Sequence, residues 1–261
     1  KVNRLVLSNP SDTSRAEIYK ENGNWKVKKA GKTYQADENA VEYTLATLHD
    51  MNIKALVTRD ASKFTRYRVD STGTFVTLYH DKGELGGLIV GAPQIVSRSE
   101  QNTYVRRIGE DEVVSVEGFL SPRFSTETDS WRDKTVWSVD KASIVKVDFT
   151  FPADSSFTMR RVESGWVSEA DTLQQSQVSR VLNTLSDLRA NGFTGEEKQF
   201  QNPRFQIHVK LSQGLTKTLR IKPLDGNRYQ VSASDYPYVF TVSKGSWDRS
   251  VLAGRSAFLE E

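Results

Sequence analysis

The sequence repeats itself at a spacing of about 140 residues, and this limits the fold more than any other feature does. "GNWKV" at residues 23–27 returns as "SGWVS" at residues 164–168, which places Trp25 and Trp166 141 positions apart. Further on, Val41 matches Val178, Leu45 matches Leu182, Thr47 matches Thr184, Leu48 matches Leu185 and Asp50 matches Asp187, all at an offset of 137. The offset changes because the segment between tryptophan and helix is four residues shorter the second time. The two apolar stripes are Val41, Thr44, Leu45, Leu48, Met51 and Val178, Val181, Leu182, Leu185, Leu188. Both follow the i, i+3, i+4, i+7 spacing of one helix face. Asp37 stands where a side-chain cap is needed at the first helix. Asn191-Gly192 reads as the stop of the second, since such a pair enters the left-handed conformation cheaply.

The segments after each helix also correspond. "TFVTLYHDKGELGGLIVG" alternates, turns at Asp81-Lys82-Gly83 and alternates again; "RFQIHVKLSQGLTKTLRIK" does the same around Gln213-Gly214. These are hairpin patterns with turn residues where the chain must reverse. "TYVRR" with "VVSVEGF" then resembles "RYQVS" with "YVFTVSKGSW". Each half therefore reads strand, strand, helix and a meander of about four strands. A mainly antiparallel sheet with one helix packed on a face satisfies that pattern. The expected fold class is α+β, with two tandem copies of this unit at residues 1–127 and 144–261. A length of 261 residues accommodates two such cores.

Residues 128–143 are expected to connect the copies. This stretch is polar yet carries two tryptophans. Trp131, Arg132, Asp133 and Trp137 are thus the candidate inter-domain or docking residues. Either both rings are buried in a seam between the halves, with Arg132 and Asp133 pairing there, or one ring is an exposed anchor for a partner.

The rest of the sequence excludes more chemistry than it suggests. There is no cysteine, so disulfides, thiolate metal sites and a cysteine nucleophile are ruled out. The three histidines, His49, His80 and His208, fall on different elements and share no i, i+4 metal-binding spacing. No Gly-x-Ser-x-Gly elbow is present. Gly83, Gly86, Gly87 and Gly91 of "GELGGLIVG" match neither phosphate-loop pattern and sit in a hairpin. Glu110, Asp111 and Glu112 fall in a turn, where solvation is the ordinary role of carboxylates. Lys26 and Lys28 alternate with Trp25 and Val27, giving a basic outer face. A net charge of +3, from 36 basic and 33 acidic residues, lacks the concentrated basic footprint of a nucleic-acid binder. No catalytic residue, catalytic metal or cofactor is expected, and no nucleic-acid partner.

The ordered series "NWKV", helix, "RYRVDSTGTFVTL", "LIVG", "TYVRR", "VVSVEGFL", "WRDKTVW", "GWV", helix and meander resembles an uncharacterised bacterial family, domain-of-unknown-function family number 4340. Its members are tandem-repeat proteins encoded beside gliding-motility-type ABC transporter genes. Trp131 to Trp137 resemble the family's Arg-Asp-Lys signature between the copies. The sequence departs where the family has Tyr-Gly-Leu-Asp with a nearby proline. Here Tyr67-Arg68-Val69-Asp70 has neither glycine nor proline, and the second copy keeps only Asn202-Pro203.

The resemblance implies an extracytoplasmic protein on the periplasmic face, anchored to the cytoplasmic membrane by a segment before Lys1. The partners it implies are an ABC transporter permease or a gliding-motility-type auxiliary protein. It supplies no catalytic residues. Two readings of different class follow. The first is a non-enzymatic interaction module auxiliary to an ABC-type transporter. The second is a cell-envelope glycan- or peptide-binding protein, or a hydrolase, with its site between the two repeats.

Overall fold

The computed structural model describes residues 1–97, 100–153, 155–194 and 200–259. The chain forms two compact units, Lys1–Asp133 and Lys134–Glu261. Both are mainly antiparallel β-sheet with few helices, an α+β architecture.

The first unit begins with four short strands, β1 (Arg4–Asn9), β2 (Ser14–Glu21), β3 (Asn24–Lys29) and β4 (Lys32–Gln35). Alternation dictates them: Ala16 and Ile18 point inward from β2, and Trp25 and Val27 from β3. Asn22 and Gly23 join β2 to β3 with φ values of 51° and 85°. That is the two-residue hairpin whose twist matches the strands. Helix α1 (Glu38–His49) follows, capped as its sequence requires: the Asp37 carboxylate accepts from the Ala40 N–H at 3.1 Å.

The unit continues through β5 (Ile53–Thr58), the single turn α2 (Phe64–Tyr67), β6 (Thr74–His80), β7 (Gly83–Ile95), β8 (Gln101–Arg107) and β9 (Val113–Glu117). The strands form one sheet in the order β4-β3-β2-β1-β6-β7-β8-β9-β5. One face carries Leu5, Leu7, Val76, Val90, Val105 and Val116 beneath α1. On the other, Phe64, Tyr67 and Val69 cover Ile89, Tyr104 and Val113. Gly91 permits this second contact, because a Cβ there would overlap the Tyr67 carbonyl oxygen. The turn after Tyr67 forms without glycine: Arg68 takes it up at φ 56°, ψ 36°.

The second unit contains β10 (Thr135–Ser138), β11 (Ile144–Thr150), β12 (Phe157–Val162), β13 (Gly165–Ser168) and β14 (Asp171–Thr172), followed by α3 (Gln175–Ser186). After the helix come β15 (Asp187–Arg189), β16 (Gly192–Phe193), β17 (Phe205–Leu211), β18 (Thr216–Pro223), β19 (Arg228–Ala233), β20 (Val239–Ser243) and the short helix α4 (Lys244–Asp248). The main sheet runs β14-β13-β12-β11-β17-β18-β19-β20-β16, and β10 pairs separately with β15. Taken strand for strand, this is the path of the first sheet.

Two local expectations need correction. Asn191-Gly192 does not close the second helix. α3 ends at Ser186, the chain turns straight into β15, and Gly192 lies in β16 with Asn191 Oδ1 accepting from the Ser243 N–H at 2.8 Å. "KGSW" does not prolong the last strand either. It opens α4, which turns Trp247 into the core.

Candidate functional site

The two helices share a spacing but not a degree of coverage. In α3, Val178, Val181, Leu182 and Leu185 are all buried. In α1 only Val41 and Thr44 are, while Leu45, Leu48 and beyond them Met51 are partly open. Beneath the C-terminal end of α1 lie two adjoining cavities of about 440 and 490 Å³, both lined by Leu48, Leu88, Arg107 and Glu110. The smaller spreads over the β6–β7 hairpin, against Val76, Leu78, Leu85 and Gly86. The larger spreads over β8 and β9, against Val105, Val114 and Val116. Leu85 is 52% exposed and Ile53 62% exposed, so the mouth of this cleft is apolar and faces water.

Strand register explains why the first unit is open here and the second closed. Trp25 pairs with Lys20, and Trp166 with Arg161. Counting from these tryptophans, the row Leu5, Leu78, Gly86 of the first sheet falls where the second has Val147, Val209, Lys217. The Val105–Val114 pair likewise falls where the second sheet has Val231–Phe240. The turn from Arg107 to Val113 matches in length the turn from Ala233 to Val239. Glu110 and Glu112 therefore stand where the second unit has Tyr236 and Tyr238. Those tyrosines pack on the core, with Tyr236 edge-on to Phe240 at 6.0 Å. Carboxylates in their place go to solvent, and Val114 leaves space that Phe240 fills.

The electrostatics of the rim are self-contained. Arg107 Nη1 lies 3.7 Å from Glu110 Oε1, and Arg59 donates to Glu112 from Nε at 2.8 Å and Nη2 at 2.6 Å. Exposed pairs of this kind contribute at most about 1 kcal/mol. An apolar floor within a ring of paired charges is the usual anatomy of a surface that binds another molecule.

The four candidate residues of the segment 128–143 are placed as follows. Trp131 is 3% exposed and packs in the first unit's core, its Nε1 donating to the Ser125 carbonyl at 2.8 Å. Its own carbonyl accepts from the Asp37 N–H at 2.8 Å, which ties it to the start of α1. Arg132 lies over the Tyr34 ring at 3.9 Å and donates from Nη1 to Asp129 at 3.1 Å. Burial opposes ionisation of Asp129, but hydrogen bonds from Lys29 and Arg132 hold its carboxyl below the usual range. The Asp133 N–H bonds the Gln35 carbonyl at 2.9 Å. Trp137 is also 3% exposed, but it belongs to the second unit's core. Its Nε1 donates to the Leu185 carbonyl at 2.6 Å, and Lys217 Nζ sits 5.5 Å from the ring centre. The structure thus gives each ring to a different unit.

The other residues singled out from the sequence serve local structure. His208 bonds Gln206 and Thr218, at 2.9 and 3.0 Å. His80 Nδ1 lies 2.9 Å from the Gly83 carbonyl oxygen and 3.2 Å from the Lys82 nitrogen, within its own hairpin turn. His49 is exposed at the lip of the larger cavity. Among the described residues no group of three or more metal-ligating side chains converges. No helix among them is long and apolar enough to cross a membrane. Sequence reasoning missed the cleft itself, with Leu85, Arg107 and Ile108 at its mouth. The available signal was that residues 107–114 carry no aromatic, while residues 233–240 carry Tyr236, Tyr238 and Phe240.

No curated protein and no solved structure matches this chain. A family model, described as Domain of unknown function (DUF4340), matches residues 25–203. That match runs from Trp25 of the first unit to Pro203 of the second, and the chain belongs to this family.

Proposed function

We propose that the chain is an interaction module built from two tandem copies of one α+β unit, a closed second copy and a first copy that receives a partner in its cleft. The observation carrying this reading is the apolar cleft of the first unit, floored by Leu48, Leu88, Val105 and Val116 and opening between Leu85, Ile53 and Ile108. Shared strand order and matching registers support the duplication. A duplicated domain that keeps one copy closed for stability frees the other to bind.

The resemblance to proteins encoded beside ABC transporters suggests the setting: the extracytoplasmic face of the cytoplasmic membrane, next to a transporter permease or its auxiliary protein. The test is affinity capture from native membranes with the whole protein. Wild-type protein is expected to enrich a transporter component several-fold over a Leu85→Asp/Ile108→Asp variant with the same melting temperature. Equal capture by the two proteins, or no transporter component with either, would overturn the proposal.

A further inference from the structure

The first two turns of α3 border a further cavity, of about 180 Å³, formed within the second unit alone. Gln175, Ser179 and Leu182 line it from the helix at i, i+4 and i+7, which is one helix face. Trp166 and Leu182, both buried, form its apolar floor. Lys141, Ala142 and Arg161 complete the wall. Arg161 lies opposite Trp166 in the β12–β13 pair, so the two side chains stand on one face of the sheet.

Neutral acceptors hold both cations in place. Lys141 Nζ donates to Asn183 Oδ1 at 2.9 Å, and Arg161 donates from Nη1 to the Ala142 carbonyl at 2.7 Å. These bonds orient the two side chains, leave their charges uncompensated and leave further N–H groups on each. No carboxylate lines the cavity. Asp140, next to Lys141, accepts from the Ala142 N–H at 2.9 Å and caps the turn at residues 141–143. Gln175 Nε2 donates to Ser179 Oγ at 3.3 Å, and the serine hydroxyl keeps its own proton to donate. The helix adds its field. Gln174 makes no side-chain cap and no acid stands in the first turn, so the positive end of α3 is not offset. At the offset of 137 residues, Glu38 and Glu42 of α1 match Gln175 and Ser179 of α3. Carboxylates at those places repel an anion, and the second unit has neutral donors at both.

We propose that this cavity binds a phosphate monoester through Lys141, Arg161 and Ser179, with Trp166 and Leu182 against the carbon that bears it. The inference goes beyond the partner reading of the first unit's cleft and shares no residue with it. A phosphate monoester carries roughly two negative charges at neutral pH, which matches the two cations; a carboxylate carries one. Pockets for drug-sized ligands measure roughly 300–1,000 Å³, so the occupant of this smaller cavity is a single small group. Its source is either a soluble ester or the headgroup of phosphatidic acid, and the two arms of the test separate them.

In the first arm, glycerol 3-phosphate is titrated into the isotope-labelled whole chain at constant ionic strength and followed by NMR. Saturable shifts are expected at Ala142, Arg161, Gln175 and Ser179 and at the Trp166 indole. Lys141→Ala and Arg161→Ala, both at exposed positions, should each weaken binding at least tenfold. Gln175→Glu/Ser179→Glu should abolish it without lowering the melting temperature, since a glutamate at the first helical position favours a helix. Acetate should bind at least tenfold more weakly than the ester. The second arm is sedimentation with phosphatidylcholine vesicles, with and without phosphatidic acid. Sedimentation that requires phosphatidic acid and is lost in the same variants assigns the group to a lipid headgroup. Saturable binding of glycerol 3-phosphate without vesicle binding assigns it to a soluble ester. Either result supports the proposal. It is overturned if neither probe binds at millimolar concentration, if acetate binds as tightly as the ester, or if the variants bind as the wild type does.

Discussion

Replacing Trp137 with alanine separates a core role from a role between units. The ring is almost fully buried and packs on the second unit's core. Removing roughly 150–250 Å² of buried indole at about 25 cal/mol per Å² costs ~4–6 kcal/mol. Measured tryptophan-to-alanine changes in cores fall at about 3–5 kcal/mol, because sites relax in part. The Leu185 carbonyl also loses its indole donor, which contributes about 1 kcal/mol more. A loss of ~4 kcal/mol is a large share of the roughly 5–15 kcal/mol that stabilises an ordinary domain. For a unit of this size it lowers the melting point by on the order of 15 °C. Calorimetry gives the magnitude and amide hydrogen exchange gives the place. Protection should fall in β10, β15 and α3 and persist in α1 and β1 to β4. A loss below about 1 kcal/mol would refute the core assignment. Equal loss of protection in residues 38–49 would return the ring to a seam shared by both units.

Three further perturbations have defined outcomes. Arg68 occupies a left-handed turn that suits glycine, so Arg68→Gly should raise stability by about 0.5–1 kcal/mol in chemical denaturation. Hydrogen bonds from Thr65 and Thr72 hold the Asp70 carboxyl at about 2 rather than 3.8, so its contribution is complete above pH ~4 and is lost as pH falls through 2; Asp70→Asn should cost about 1–2 kcal/mol at pH 7 and almost nothing near pH 2. Gly91→Ala should cost more than ~2 kcal/mol and unpack α2 first, seen as increased exchange in residues 64–70, because its methyl meets the Tyr67 carbonyl oxygen and Val69 Cγ1.

What could be read from the sequence was whatever periodicity records. The stripes of α1 and α3, the Asp37 cap and the inward tryptophans, Trp25 and Trp166, all follow from spacing alone. Coverage was not legible in that way. Leu48 and Leu185 occupy the same stripe position, yet only Leu185 is closed in, because Trp137 arrives from a strand 48 residues earlier in the chain. A pattern confined to one helix carries no trace of such a partner. For Trp131 and Trp137 the sequence left a buried seam and an exposed anchor as alternatives; Trp131 packs in the core of the first unit and Trp137 in that of the second. Asn191-Gly192 misled for a similar reason. Pairing of Asp187–Arg189 with β10 ends the helix before its apparent stop signal is reached.

The most direct test of binding at the cleft of the first unit is site-specific photo-crosslinking in living cells. A benzophenone amino acid is placed in the whole protein either at Leu85 or at Thr216, which lies near the start of β18, the strand of the second unit that corresponds to β7. Both positions are exposed, so labelling efficiency is comparable. An adduct with a transporter permease or auxiliary protein is expected from Leu85, at several times the yield from Thr216. Equal yields from the two positions, or an adduct from Thr216 alone, would contradict the assignment of binding to the cleft of the first unit.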